Sequence, residues 1–121
     1  MTPTSGGERG QATVEMAASM ALLAVLAVAM VRVGVAIRDE LAVELAAREG
    51  ARAASVAADP SGAAADAAQR AVDLPIEVRA EVDGDIVRVH VTYAAPIASG
   101  LLRGLPEVTH RATASMALEP P

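Results

Sequence analysis

The chain has 121 residues, a length that indicates about one domain. Its formal net charge of −5 argues against nucleic acid as a partner, because phosphate binding requires a clustered basic surface. The absence of cysteine excludes disulfides, zinc–thiolate sites and thiol catalysis. Alanine supplies much of the 53 % hydrophobic content, so a soluble core built from this chain would be thin.

The first ten residues are polar and glycine-rich, and they predict an irregular leader over residues 1–10. The chain then becomes apolar from Ala12 to Val31. Twenty helical residues extend about 30 Å, which matches the hydrocarbon core of a bilayer. Because the apolar pattern continues past Arg32, we predict a transmembrane helix over residues 11–37.

Two other kinds of segment share this composition. A secretory signal peptide would use Arg9 as its basic region, although its hydrophobic core would be long. A buried helix of a soluble hairpin is the other alternative. Basic residues lie on both sides of the segment, Arg9 before it and Arg32 and Arg38 after it, so the positive-inside rule favours neither orientation.

Glu15 is the one acidic residue inside the apolar segment. A carboxylate in hydrocarbon is costly, and ionisable residues within membrane helices are functional candidates. Its position alone leaves two interpretations open. Glu15 is either an intramembrane functional group or a flanking charge at the level of the lipid headgroups.

The helix is predicted to continue through residues 38–58, which contain good helix formers and no proline. Leu41 and Leu45 share one face, and Glu44 and Arg48 form a favourable i,i+4 pair, so this half is amphipathic. Gly50 is a mild weak point in it. The charged face is expected in solvent, with packing against other subunits as the alternative.

A helix break follows at Asp59 and Pro60. Asp59 is predicted to cap a second helix that has Pro60 at its first position and runs to about Val72. Beyond it the apolar period changes to two, which predicts three strands at about 76–82, 86–94 and 108–118. The third strand is expected to pair with the second as a meander.

These elements predict an α+β fold. The small domain over residues 59–121 holds the short second helix and an antiparallel three-stranded sheet. The second half of the long helix is the expected cover for the apolar face of that sheet. An apolar loop from Ile97 to Leu105 is expected to pack onto the sheet, with contact to a membrane surface as the alternative.

Asp83 and Gly84 predict a two-residue type I′ hairpin loop between the first two strands. This loop sets the apolar residues of the two strands opposite each other on one face, which supports the predicted register. The predicted pairs are Ala80 with Val87, Val78 with Val89, Ile76 with Val91, Glu77 with His90 and Arg79 with Arg88.

No constellation of catalytic residues is evident in the sequence. His90 and His110 are both expected to be structural, and the aspartates at 83 and 85 are interpreted as turn residues. We therefore predict that the protein is not an enzyme. No cofactor, metal or small-molecule substrate is expected.

The run from Glu8 to Glu15 resembles the processing site of type IV pilin-like precursors, which have a polar leader ending in glycine. Cleavage after Gly10 would make Gln11 the new N-terminus and place Glu15 at the fifth mature position, as in that class. Within it the chain looks like the TadE-like pseudopilins of tight-adherence (Tad/Flp) type IV pilus systems. The alanine- and arginine-rich segment 46–54 and the terminal strand 112–118 are also similar. Met16 stands where such sites often carry tyrosine.

The resemblance implies a minor pilin or pseudopilin that acts in pilus assembly. Its helix would pack against other pilin or pilus-assembly subunits in the membrane or the filament. It also implies processing between Gly10 and Gln11 by a prepilin peptidase, and pairing of Glu15 with a terminal amine, often that of a neighbouring subunit. The implied topology is single-pass in the cell membrane, with a cytoplasmic N-terminus and a pilin-like C-terminal domain outside.

Two other functions remain as alternatives. A single-pass membrane protein that displays an interaction domain would share the helix but require neither Gly10 nor Glu15. A secreted enzyme released from a signal peptide would begin near Arg38. The start of the mature chain distinguishes these possibilities.

Overall fold

The computed structural model describes residues 6–96 and 107–119, with the side chains of 6–9 left aside. The chain divides into two compact units, the first ending at Ala36 and the second beginning at Ile37. The α+β fold class predicted from the sequence is confirmed. Its elements are α1 (Gly6–Ser55), α2 (Pro60–Ala71), β1 (Glu77–Asp83), β2 (Ile86–Ala95) and β3 (Val108–Ala117).

Helix α1 begins at Gly6, six residues before the start at Ala12 that the apolar pattern suggests. Residues 6–10, which the sequence predicts as part of an irregular leader, are therefore helical. Helix α2 is as predicted. Asp59 Oδ1 accepts a hydrogen bond from the Gly62 N–H at 3.2 Å, and Pro60 occupies the first turn. This cap satisfies one of the free N–H groups at the helix start.

The sheet is an antiparallel meander in the order β1-β2-β3, which confirms the predicted pairing of the third strand with the second. Central strand β2 alternates buried and partly exposed residues along its length. Its inward side chains meet α1 residues 43–54 and α2 in one core. The buried apolar residues are Val43, Ala46, Ala47, Ala51, Ala54, Ala64, Ala68, Ile76, Val87, Val89, Val91 and Tyr93.

The predicted hairpin register is wrong by two residues. Asp83 pairs with Ile86, and the loop consists of Gly84 and Asp85. Gly84 has a φ of +59°, and Asp85 is not among the residues with positive φ, a pattern typical of type II′ loops. A type I′ loop at Asp83 and Gly84 would force positive φ on an aspartate as well, which glycine alone accepts without penalty.

The observed register also improves the charge pairing on the outer face of the sheet. The predicted register opposed Arg79 to Arg88, whereas the structure opposes Glu81 to Arg88. Opposite charges across a strand pair stabilise it and like charges destabilise it. A shift of two residues keeps every side chain on its predicted face, so the hydrophobic pattern alone could not distinguish the two registers.

Helix α1 packs on the sheet through small residues rather than through its leucines. An added Cβ at Gly50 would lie 3.0 Å from the Ala64 carbonyl oxygen and 3.2 Å from Val89 Cγ1. Leu41 and Leu45, which made this half amphipathic in the sequence, are 60 % and 47 % exposed. Gly50 is thus a point of close contact, and the leucine face is left uncovered by the described chain.

Backbone hydrogen bonds join Leu118 and Glu119 to the β1–β2 loop and to the end of α1. The Glu119 N–H donates to the Ser55 carbonyl at 2.9 Å, and the Leu118 N–H donates to the Asp85 carbonyl at 2.7 Å. The first contact satisfies one of the carbonyls that a helix C-terminus leaves free. The apolar loop predicted over 97–105 lies outside the described residues.

Candidate functional site

The described part of the first unit, residues 6–36, is helical. Every α1 residue from Gly10 to Val35 is exposed, including the large apolar side chains. The helix is long and apolar enough to cross a membrane, and its most hydrophobic window is 0 % buried by the described residues. This argues against the core helix of a soluble protein, whose apolar face would be covered. A membrane span and a signal sequence near the N-terminus both have such a surface.

Glu15 lies on this exposed helix, one turn before Ser19. The Ser19 hydroxyl donates to the Glu15 carbonyl oxygen at 2.9 Å, and Glu15 itself is exposed. The ion pairs formed among the described side chains do not include Glu15. Its charge is therefore uncompensated within the described part of the chain.

The predicted processing residues Gly10 and Gln11 are also exposed and helical. A Cβ added to Gly10 would meet no atom within 4 Å. Glycine in a helix interior costs about 1 kcal/mol relative to alanine, and no described contact within the chain requires it here. Gly10, Gln11 and Glu15 lie on consecutive turns of one helix, so local structure alone brings these three predicted residues together.

A second polar cluster lies in the folded unit and was not predicted. His110 Nδ1 of β3 lies 2.8 Å from Glu40 Oε2 of α1. The His110 ring stacks against Tyr93 with centroids 6.3 Å apart and planes 16° from parallel. The His110 side chain is almost fully buried, whereas that of Glu40 is 61 % exposed. His110 thus links the edge strand to the helix.

The sequence held a partial indication of this contact. The alternation of β3 places His110 on the apolar side, where a buried polar ring requires a hydrogen-bond partner. Nothing local identifies Glu40, 70 positions earlier, as that partner. The other histidine, His90, lies on the outer face, where its Nδ1 is 2.9 Å from Thr113 Oγ1.

Two of the open depressions in the described part of the folded unit contain no histidine. One of about 840 Å³ lies between the end of α1 and the β2–β3 end, with Asp85 and Glu119 at its margin. The other, of about 410 Å³, follows α2 and includes Gln69 and Asp73. Among the residues that the structure describes, no group of three or more His, Asp or Glu side chains is placed to hold a metal ion.

A scan of the chain against protein-family models found no match, and searches of curated proteins and of solved structures found none either. The features that bear on function are therefore the exposed apolar helix, the Glu15 carboxylate on it and the folded unit later in the chain.

Proposed function

We propose that this protein is a single-pass membrane protein that acts by assembly, as a TadE-like minor pilin or pseudopilin of a Tad/Flp-type pilus. The observation that carries the proposal is the uncovered apolar helix with Glu15 near its head. That helix has no cover within the described chain, and its one embedded carboxylate has no described cationic partner. Both requirements are met when the helix packs among other helices in a membrane or filament.

The distribution of residues along α1 supports this role. Its first half carries apolar side chains on all sides, as a lipid- or helix-surrounded segment does. Its second half supplies Val43, Ala46 and Gly50 to the contact with the sheet. A single helix thus serves as the anchor and as the base of the C-terminal unit. In the proposed topology the N-terminus is cytoplasmic and the sheet lies outside the membrane.

The placement of Gly10 supports processing by a prepilin peptidase. The residue is exposed, and the described chain offers no packing reason for glycine there. Cleavage after it releases a cationic amine at Gln11, about one helical turn from Glu15. A carboxylate near the start of a helix also interacts favourably with the helix dipole. The mature end would then carry opposite charges placed to pair between neighbouring subunits.

Intact-mass and N-terminal sequencing of the membrane-extracted protein test this processing. We expect a start at Gln11 in cells with an active prepilin peptidase and a start at Met1 in cells without it. Gly10→Val should block the cleavage, because a branched side chain prevents close approach of the backbone. Gly34→Val is the matched control, since it lies on the same helix with equally open surroundings.

Assembly is tested with Glu15→Gln, which removes the charge and keeps the shape. We expect the variant to resist alkaline extraction from membranes but to lose co-purification with other pilus subunits. Asp73→Asn, at an exposed carboxylate between α2 and β1, is the control. Normal assembly of Glu15→Gln would contradict the proposal and favour a simple display protein. If the mature protein were soluble and began near Arg38, the apolar helix would be a cleaved signal peptide and not a membrane anchor.

A further inference from the structure

The sheet has two edge strands, β1 and β3, and each pairs only with β2 among the described residues. An edge strand presents free N–H and C=O groups to which another strand can pair, and proline, bulges or several charges commonly prevent this. Strand β3 has neither proline nor bulge, because its register with β2 runs unbroken from Val108 to Ala117. Within the described chain, this edge is therefore open to strand addition.

The two edges differ in charge. Strand β1 carries three carboxylates and one guanidinium on its outer face, at Glu77, Glu81, Asp83 and Arg79. Strand β3 contains one residue among Asp, Glu, Lys and Arg, which is Arg111, and it is exposed on the same face. The acidic edge and the basic edge lie on opposite sides of the sheet, so they can meet only between two molecules.

The register of the sheet sets these charges at matching heights. Thr92 of β2 is opposite Glu77 of β1 and also opposite Arg111 of β3. When the sheet of a second copy is placed in line with the first and is not shifted along the strands, Arg111 of one copy lies beside Glu77 of the other. Opposite charges on adjacent strands stabilise their pairing.

The inner face of the sheet matches in the same alignment. Val82 of β1 and Met116 of β3 are both opposite the fully buried Val87, yet they are 49 % and 40 % exposed. The unshifted alignment brings Met116 of one copy beside Val82 of the other, which removes apolar surface of both side chains from water. Two separate features, one charged and one apolar, therefore indicate the same placement.

We propose that β3 of one copy pairs in parallel with β1 of a second copy, so that the sheet continues across the contact with the helices of both copies on one side. The partner of this edge is thus another molecule of the same chain. The contact goes beyond the proposed function, because it does not use the apolar part of α1 and would join copies of a display protein equally. It is heterologous and leaves one β1 and one β3 free, so it can extend from copy to copy.

Other alignments of β3 with β1 are less favourable. A shift of two residues sets Arg111 beside Arg79 in one direction and beyond the start of β1 in the other. A shift of four sets Arg111 beside Glu81, but it also sets Glu107 beside Glu77, and like charges on adjacent strands destabilise the pairing. A shift by an odd number exchanges the inner and outer faces.

Contacts between like edges lack this complementarity. A continuous sheet with its helices on one side also permits two β3 strands or two β1 strands to meet antiparallel. Two β3 strands bring together no opposite charges, since each carries Arg111 alone. Two β1 strands in full overlap oppose Glu77 to Asp83 at both ends, which is repulsive.

Cysteine cross-linking tests the contact, because the native chain contains no cysteine. Full-length Arg79→Cys and Thr113→Cys chains with different tags are co-expressed, and the membranes are oxidised. Both positions are opposite His90 in the sheet, so they lie beside each other across the proposed contact and should give a mixed dimer. Asp83→Cys with Thr113→Cys is the control pair, since four residues of strand move the cysteine about 13 Å away. Tyr93 fluorescence verifies that each variant retains its folded unit.

Charge reversal on the two chains provides the second measurement. Glu77→Arg in the Arg79→Cys chain and Arg111→Glu in the Thr113→Cys chain should each lower the yield of mixed dimer about threefold. The two reversals together should restore the yield. Arg52→Glu, at an exposed residue of α1, is the control and should leave the yield unchanged.

Several outcomes would overturn the contact. Absence of the 79–113 product, or a Thr113→Cys homodimer in its place, would exclude the parallel pairing. Equal yields of the 79–113 and 83–113 products would exclude the unshifted alignment, and failure of the double reversal to restore the yield would exclude the pairing of Glu77 with Arg111. The proposed function is tested separately, because cleavage at Gln11 and the effect of Glu15→Gln do not involve the sheet edges.

Discussion

His110 Nδ1 lies 2.8 Å from Glu40 Oε2, a contact that joins β3 to α1 between residues 70 positions apart. Strand β3 is at the edge of the sheet order, so its ladder with β2 holds it on one side only. The buried His110 ring, stacked on Tyr93, adds an attachment to the helix layer. The pair thus contributes to holding the edge strand against the core.

Removal of either partner should destabilise the folded unit by different amounts. Glu40→Ala should lower the free energy of unfolding by about 0.5–1 kcal/mol, because the exposed carboxylate is screened by water. His110→Ala should lower it by about 2 kcal/mol, because it also removes a buried ring. Urea unfolding of the full chain in detergent, followed by fluorescence of Tyr93, the only aromatic residue, measures both.

The exposed pair of Glu44 and Arg48 is the control for this contact. Glu44→Ala should lower the free energy of unfolding by about 0.3–0.5 kcal/mol, as exposed i,i+4 pairs do. A double-mutant cycle between Glu40 and His110 isolates their interaction. Additive effects of the two substitutions would show that the hydrogen bond contributes nothing to stability.

Gly50 should tolerate no larger side chain. Gly50→Val should lower the free energy of unfolding by about 1–3 kcal/mol, because its Cβ would press on the Ala64 carbonyl oxygen and on Val89. The same fluorescence measurement reports the change. Gly34→Val, where an added Cβ meets nothing within 4 Å, should leave the folded unit unchanged. Equal effects at the two positions would indicate a helix-propensity effect rather than packing.

Gly84 should be required by the hairpin loop. Gly84→Ala should lower the free energy of unfolding by about 1 kcal/mol, because its φ of +59° is unfavourable for a residue with a Cβ. Asp85→Ala should change it by less than about 0.5 kcal/mol. The contact of Asp85 with Leu118 uses its backbone carbonyl, which the substitution retains. A larger loss at Asp85 than at Gly84 would contradict the type II′ loop.

Asp59 should stabilise α2 as its cap. Asp59→Ala should lower the free energy of unfolding by about 1 kcal/mol, because it leaves the Gly62 N–H without its acceptor. Asp66→Ala, in the middle of the same helix, should not destabilise, since alanine is the better helix former. Thermal unfolding monitored at Tyr93 compares the two variants. If Asp59→Ala left the stability unchanged, water would be replacing the Asp59 carboxylate as the acceptor for the Gly62 N–H.

The sequence predicted the elements because their determinants are local. Asp59 and Pro60 mark the start of α2, and the alternation of apolar residues marks all three strands within about one residue. The hairpin register was missed because two registers share the same faces. The loop conformation and the Glu81–Arg88 pairing distinguish them, and each involves specific contacts rather than a pattern.

The same distinction between local and long-range determinants applies to the candidate site residues. Gly10, Gln11 and Glu15 are close in sequence and were identified without the fold, whereas the Glu40–His110 pair was not. The buried face of α1 was also missed, because the leucines stood out in the pattern while the alanines did not. Leu41 is exposed and Ala46 is fully buried.

By itself, the sequence determined a long apolar helix with one embedded carboxylate, a second helix and three short strands. Hydrophobic period, capping residues and turn residues act over a few positions, so the chain displays them directly. Only the tertiary structure decided which face of α1 meets the sheet. The valines of β2 already fill the space between the layers, so the helix approaches through Gly50 and its alanines and leaves its leucines outside.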